Sequence, residues 1–180
     1  QLAISTEPVR APYQHIDILI ALNQDTITRH ADALTSTSFV IHDSEQKLDF
    51  SALPRAATKI PVPLNQLART IGGTIIMRNS VALGALVALT GANLKTLTTL
   101  LDEEFSKKNP DLAERNIKTA RAGYDVVREH FSKFITPRLT PRRPASKKLV
   151  VTGNEAAALG SIAAGLQFAS VYPMTPTSAI

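Results

Sequence analysis

The sequence predicts an α/β fold in two pieces joined by a linker. Three observations carry that prediction. Short β-branched runs alternate with amphipathic stretches over the first seventy or so residues. A region of Ala/Leu-rich helical periodicity follows. A proline-rich segment carrying one sign of charge then separates these from a second strand–helix–strand pattern.

The elements follow in chain order. Ile16-Asp17-Ile18-Leu19-Ile20-Ala21-Leu22 is short and almost wholly apolar, as a buried parallel strand is. Asn23 caps a helix predicted over Asp25–Leu34, whose Ile27, Ala31 and Leu34 share a face. Ser38–His42 is the next strand and ends in a turn-like Asp43-Ser44. Lys59–Val62 is a third, and Pro61 marks it as an edge or a strand end. Leu64–Thr70 is a short helix stopped by Gly72-Gly73, read as a turn before an apolar strand. This rhythm points to α/β architecture.

Three helices come next. Asn79–Leu89 is Ala/Leu-rich, with Asn79 as its cap and Gly84 inside it. Leu94, Leu97, Leu100, Leu101 and Phe105 repeat at helical spacing. Asp111–Phe131 carries Ile117, Ala120, Tyr124 and Val127 on one stripe. The stretch from Ile135 to Lys148 contains three prolines and no acidic residue, so it reads as an extended, solvated linker. Lys148–Thr152 is then a strand, Glu155–Leu166 a helix of small residues, and Ala169–Tyr172 a second strand. The domain boundaries are 1–131, a linker over 132–147, and 148–180.

Composition bounds the function. A length of 180 residues allows one or two domains. A hydrophobic content of 44% suffices for a core, and 5% aromatics without Trp makes that core Ala, Leu, Ile and Val. The absence of Cys excludes disulfides, thiolate metal sites and Cys-ligated clusters from this chain, and fits an intracellular protein. The apolar runs are too short and too often interrupted by Gly to span a bilayer. The first residue is Gln1, and no helix follows Ser178, so the chain reads as a fragment cut at both ends.

The net charge of +5 has one source. Residues 1–131 hold 14 Lys/Arg against 14 Asp/Glu, whereas 132–148 hold six basic residues and no acidic one. A Pro-rich ligand, a localisation signal or an RNA-binding arm would use such a segment, but a solvated connection explains it more simply.

Most motif chemistry is absent. His15, His30, His42 and His130 lack metal-ligand spacing, and His42-Asp43 at a strand end reads as structural. There is no GxGxxG, no phosphate loop of the Walker type and no Gly-x-Ser-x-Gly elbow. Asp102, Glu103 and Glu104 form a solvated helix face. What stands out is Val171–Ile180, reading V-Y-P-M-T-P-T-S-A-I. Pro173 and Pro176 hold Tyr172 and Thr175 extended, so the loop presents Thr175, Thr177 and Ser178 after an apolar stretch. Such hydroxyls and loop amides suit a carboxylate or phosphate. Tyr-Pro and Thr-Pro are also ordinary turn residues, so spacing alone leaves ligand contact and a plain turn both open.

Gly153–Gly160 followed by Tyr172–Ser178 resembles the start of the alpha subunit of 2-oxoacid:ferredoxin oxidoreductases, which carries a G-N-x-A segment, a small-residue helix and Y-P-[IM]-T-P-[ST]-S. The earlier pieces Glu7–Arg10, Asp17–Leu22, Val62–Asn65 and Asn79–Leu86 look like that family's gamma domain. Gamma followed by alpha in one chain is the layout of two-subunit enzymes, notably those acting on 2-oxoglutarate. The gamma domain's Gly-rich opening turn is not matched, and the alpha-domain glutamate for the cofactor would lie beyond Ile180.

The resemblance implies a truncated gamma-type α/β domain with a helical cluster, then the first strand–helix–strand of a pyrimidine-binding-type α/β domain. It implies a cytoplasmic enzyme that oxidatively decarboxylates a 2-oxoacid with coenzyme A to an acyl-CoA and passes electrons to ferredoxin. It also implies thiamine diphosphate and Mg²⁺ shared with a beta subunit, which holds an iron–sulfur cluster. This chain would contribute no metal ligand, contact neither membrane nor nucleic acid, and be inactive as a fragment. By the same resemblance Thr175 is the catalytic-loop hydroxyl facing the substrate. Tyr172, Pro173 and Pro176 shape the loop, and Thr177 and Ser178 complete it. The rival reading is a non-catalytic assembly or nucleic-acid-binding module acting through the basic linker.

Overall fold

Three β-branched runs pair into a parallel sheet: β1 Ile16–Ala21, β2 Leu34–Asp43 and β3 Thr58–Val62, in the order β1-β2-β3. The computed structural model describes residues 2–5, 9, 11, 14–107, 109–135, 151–170 and 172. The chain divides into two units, residues 1–140 and 141–180, and the sheet belongs to the first. The protein is thus mixed α/β, as expected.

The expected helix after β1 ends early. Helix α1 spans Gln24–His30, a 3₁₀ turn covers Ala31–Ala33, and Leu34 already opens β2. Leu34 pairs with Ile16 across a register shift, and the Ser38 hydroxyl donates to the Ile16 carbonyl at 2.6 Å. Pairing along the sheet outweighs the helical spacing of Leu34. The edge position of β3 agrees with Pro61. The Ser44 amide donates to the Val62 carbonyl, so strand alternation turns the proline nitrogen outward.

Alternation gives the sheet two apolar faces. Phe39, Ile41, Ile60 and Val62, with Ile18 and Ile20, pack against Leu64, Ala68, Met77, Val81, Ala85, Leu89 and Val127. Met77 comes from the 3₁₀ turn Ile75–Met77, and the others from α2 Leu64–Thr70, α3 Arg78–Leu89 and α5 Pro110–His130. Leu19, Ala21 and Val40 face the other way, onto Ile27, Ala31, Leu34 and Leu53. Ile16 joins this second group because the bulge beside it breaks the alternation.

Helix α3 lies in the middle of the helical layer and is buried on most sides, with Ser80, Val81, Ala82, Gly84, Ala85, Ala88 and Leu89 enclosed. Its glycine is the reason α5 can reach it. A Cβ on Gly84 would land on the Ala120 carbonyl, and a Cβ on Gly123 of α5 would land on the Val81 carbonyl. The two backbones therefore touch, and the Ser80 hydroxyl donates to Asn116 Oδ1 across the same seam. Phe131, Phe134 and Ile135, beyond α5, still pack on this layer.

One expected helix cap is not used. Asn79 is an exposed residue of the first turn of α3 rather than its cap. A 3₁₀ turn, Ile75–Met77, runs directly into α3, and the Thr74 hydroxyl caps that turn. Gly72-Gly73 is accordingly followed by this turn and not by a strand. Helix α4, Leu94–Phe105, buries Leu101 and leaves Leu100 57% exposed, because adjacent residues lie about 100° apart on a helix and cannot both face α5. Asp102, Glu103 and Glu104 are exposed, as expected of a solvated face. Helix α5 starts on Asn109, whose Oδ1 accepts from the Leu112 amide, with Pro110 in the first turn.

In the second unit, α6 spans Gly153–Ala163. It starts two residues before the expected Glu155 and stops three before Leu166. The expected flanking strands are not present at Val151–Thr152, Ala169–Ser170 or Tyr172, which have no regular structure. Strands need a paired ladder to satisfy their backbone groups. Residues 148–150 and 171 lie outside the described residues.

Candidate functional site

The approach to the C-terminal loop is organised locally. The Thr152 hydroxyl accepts from the Glu155 amide, and Glu155 Oε2 accepts from the Thr152 amide at 2.7 Å and from its hydroxyl at 2.9 Å. This reciprocal cap fixes where α6 begins. The same bonds hold the Glu155 carboxyl below its ordinary range. At the far end, Gly165 adopts φ 89°, its amide donates to the Ile162 carbonyl and the Leu166 amide to the Ser161 carbonyl. That closure ends the helix.

Of the loop residues singled out from sequence, Tyr172 is described, and it is 78% exposed. Pro173, Thr175, Pro176, Thr177 and Ser178 lie outside the described residues, as do residues 136–147 of the linker expected over 132–147.

The other place where an open parallel sheet binds ligands is the carboxyl end of its strands. There Asp43, buried at the end of β2, accepts from the Glu45 amide through Oδ1 and from the Asn65 amide through Oδ2, both at 3.1 Å. It thereby ties the turn after β2 to the first turn of α2. His42 Nδ1 lies 3.1 Å from the Asp43 carbonyl and its ring sits 4.8 Å from the Phe50 ring. Burial pushes the imidazole below its ordinary pKa and the neighbouring Lys59 adds to that, while the Asp43 backbone bond and charge oppose it. Both residues act structurally, as the strand-end reading expected. Asn65 Oδ1 is buried and makes no hydrogen bond. The cap role of Asp43 had no signal in the sequence, because its partner Asn65 is 22 residues away.

An open depression on α4 is lined by Asn93, Lys95, Thr96, Thr99, Leu100 and Glu103. These come from one helix and its cap, so no groups converge from separate elements. Among the described residues there is no group of three or more His, Cys, Asp or Glu that could hold a metal ion. No helix among them is long and apolar enough to cross a membrane.

Residues 1–126 match the family described as pyruvate ferredoxin/flavodoxin oxidoreductase. The alpha subunit of 2-oxoacid:ferredoxin oxidoreductase 1 from Sulfurisphaera tokodaii is 26% identical, over 98% of this chain and 33% of that protein. An alpha subunit from Aeropyrum pernix is 27% identical over 66% of this chain and 20% of its own length. Among solved structures, a 2-oxoglutarate:ferredoxin oxidoreductase from Magnetococcus marinus, with 2-oxoglutarate, coenzyme A and succinyl-CoA bound, superposes with a TM-score of 0.73. It is 26% identical and matches 97% of this chain and 30% of its own. A pyruvate oxidoreductase subunit from Thermotoga maritima shares the fold, with a TM-score of 0.54 at 17% identity over 63% of this chain and 64% of its own. The chain spans about a third or less of the length of the curated relatives it matches. With 126 of its 180 residues matched, it belongs to the pyruvate ferredoxin/flavodoxin oxidoreductase family.

Proposed function

We propose that this member of the family forms the gamma-to-alpha junction of a cytoplasmic 2-oxoacid:ferredoxin oxidoreductase whose substrate is 2-oxoglutarate. The observation that carries the reading is the match to the Magnetococcus marinus enzyme over nearly the whole chain, both units included. In this reading residues 1–131 are the gamma-like domain, 132–147 the linker and 148–180 the opening of the alpha domain. The reaction balances as 2-oxoacid plus coenzyme A giving acyl-CoA, CO₂, one proton and two electrons, the electrons passing singly to ferredoxin.

Bound thiamine diphosphate supplies the nucleophilic carbon and the electron sink for decarboxylation. Thr175 presents a hydroxyl to the substrate carboxylate or to charge developing at its 2-oxo group. Pro176 holds Thr175 extended, so the hydroxyl is oriented before substrate arrives. Tyr172, Pro173 and Pro176 shape the loop, and Thr177 and Ser178 add two hydroxyls beside it. In this reading the beta subunit holds the iron–sulfur cluster and the site for the diphosphate and Mg²⁺, a division of labour with which the absence of Cys from these 180 residues agrees.

The test is co-production of the full-length polypeptide with its beta subunit, followed by anaerobic assay of coenzyme A-dependent ferredoxin reduction. A higher kcat/KM for 2-oxoglutarate than for pyruvate is expected. Preference for pyruvate would overturn the substrate, and no reduction with any 2-oxoacid would overturn the activity. Thr175→Val keeps volume and β-branching but deletes the hydroxyl. Loss of one such hydrogen bond costs on the order of 2–4 kcal/mol in the barrier, or roughly 30- to 1,000-fold in rate. Near-normal turnover at equal cofactor occupancy would remove Thr175 from the chemistry.

A further inference from the structure

We draw no further inference here: the strongest candidate, the exposed apolar patch formed by Leu159 and Ile162 of helix α6 with Leu166 just beyond its end, carries nothing because no feature of the structure shows what covers it.

Discussion

The two faces of the sheet are covered by different means. On one, α2, α3 and α5 make a helical layer whose backbones meet at Gly84 and Gly123. On the other, the cover is the seven-residue helix α1, a 3₁₀ turn and the crossover between β2 and β3, which has no helix of its own. That crossover is held by a few anchors. Leu53 and Ala57 are buried, and Leu48 and Phe50 pack partly against the same cluster. Gln24 bonds both ways to the Asp49 backbone, donating from Nε2 at 3.0 Å and accepting through Oε1 at 2.7 Å. Lys59 Nζ stands 5.6 Å from the centre of the Phe50 ring. A continuous helical interface spreads its stability over many contacts and tolerates little added volume. A loop cover concentrates its stability in identifiable side chains and should open locally.

The largest effect should come from the helical face. Gly84→Ala forces a methyl onto a backbone carbonyl that no side-chain rotation can relieve, and should cost about 3 kcal/mol or more. Denaturant unfolding followed by circular dichroism measures it. Gly160→Ala in α6 is the contrast, since its Cβ would meet nothing within 4 Å. There the gain in helix propensity is about 1 kcal/mol toward helix. Equal effects at the two sites would break the claim that backbone contact, not helix propensity, governs Gly84.

Next is Leu53→Ala on the loop-covered face, with an expected cost of about 2–4 kcal/mol. Its distinguishing sign is location. Hydrogen exchange should accelerate across residues 44–57 while α3 and α5 keep their protection. Uniform acceleration would mean that the two faces unfold together.

A smaller loss, about 1 kcal/mol, is expected for Gln24→Ala, which removes the exposed reciprocal bonds to Asp49. The same local exchange pattern should appear, more weakly. No change in exchange near Asp49 would show that the apolar anchors alone hold the crossover.

The smallest effect is a pH dependence at His42. Its folded pKa lies below the ordinary value of about 6.5, chiefly through burial. The folded state therefore binds fewer protons than the unfolded state in the window beneath 6.5. The contribution of His42 is full above that value and falls as the pH drops toward the folded pKa. His42→Leu should flatten the fall in Tm between pH 7 and 5. An unchanged slope would transfer the acid sensitivity to other groups.

Much of the fold could be read from local physics. The helix Leu64–Thr70 is found at the expected bounds, because its preceding proline and following glycines act within a turn or two. Pro61 placed β3 at an edge for the same kind of reason. The expected cap Asn23 bonds the amide three residues ahead, as do Asn109 and Thr152, which the sequence reading did not single out. Asn79 shows the limit, since a good cap residue stands unused where a 3₁₀ turn already delivers the chain into α3. Of the candidate site, Tyr172 alone falls among the described residues, so the roles of Thr175 and its neighbours rest on the resemblance and the proposal.

By itself, then, the sequence determined the alternation that makes three strands, the periodicity that makes the long helices, and the paired segments around Gly153 and Tyr172 that carry the family likeness. Only the tertiary structure decided that Leu34 belongs to a strand, that Gly84 and Gly123 are contact points rather than helix weaknesses, and that Asp43 is a cap for a helix 22 residues away. The physical reason is range. Propensity, capping and periodicity act within about four residues, whereas these three outcomes depend on partners 18 to 42 residues distant that meet only once the backbone has assembled.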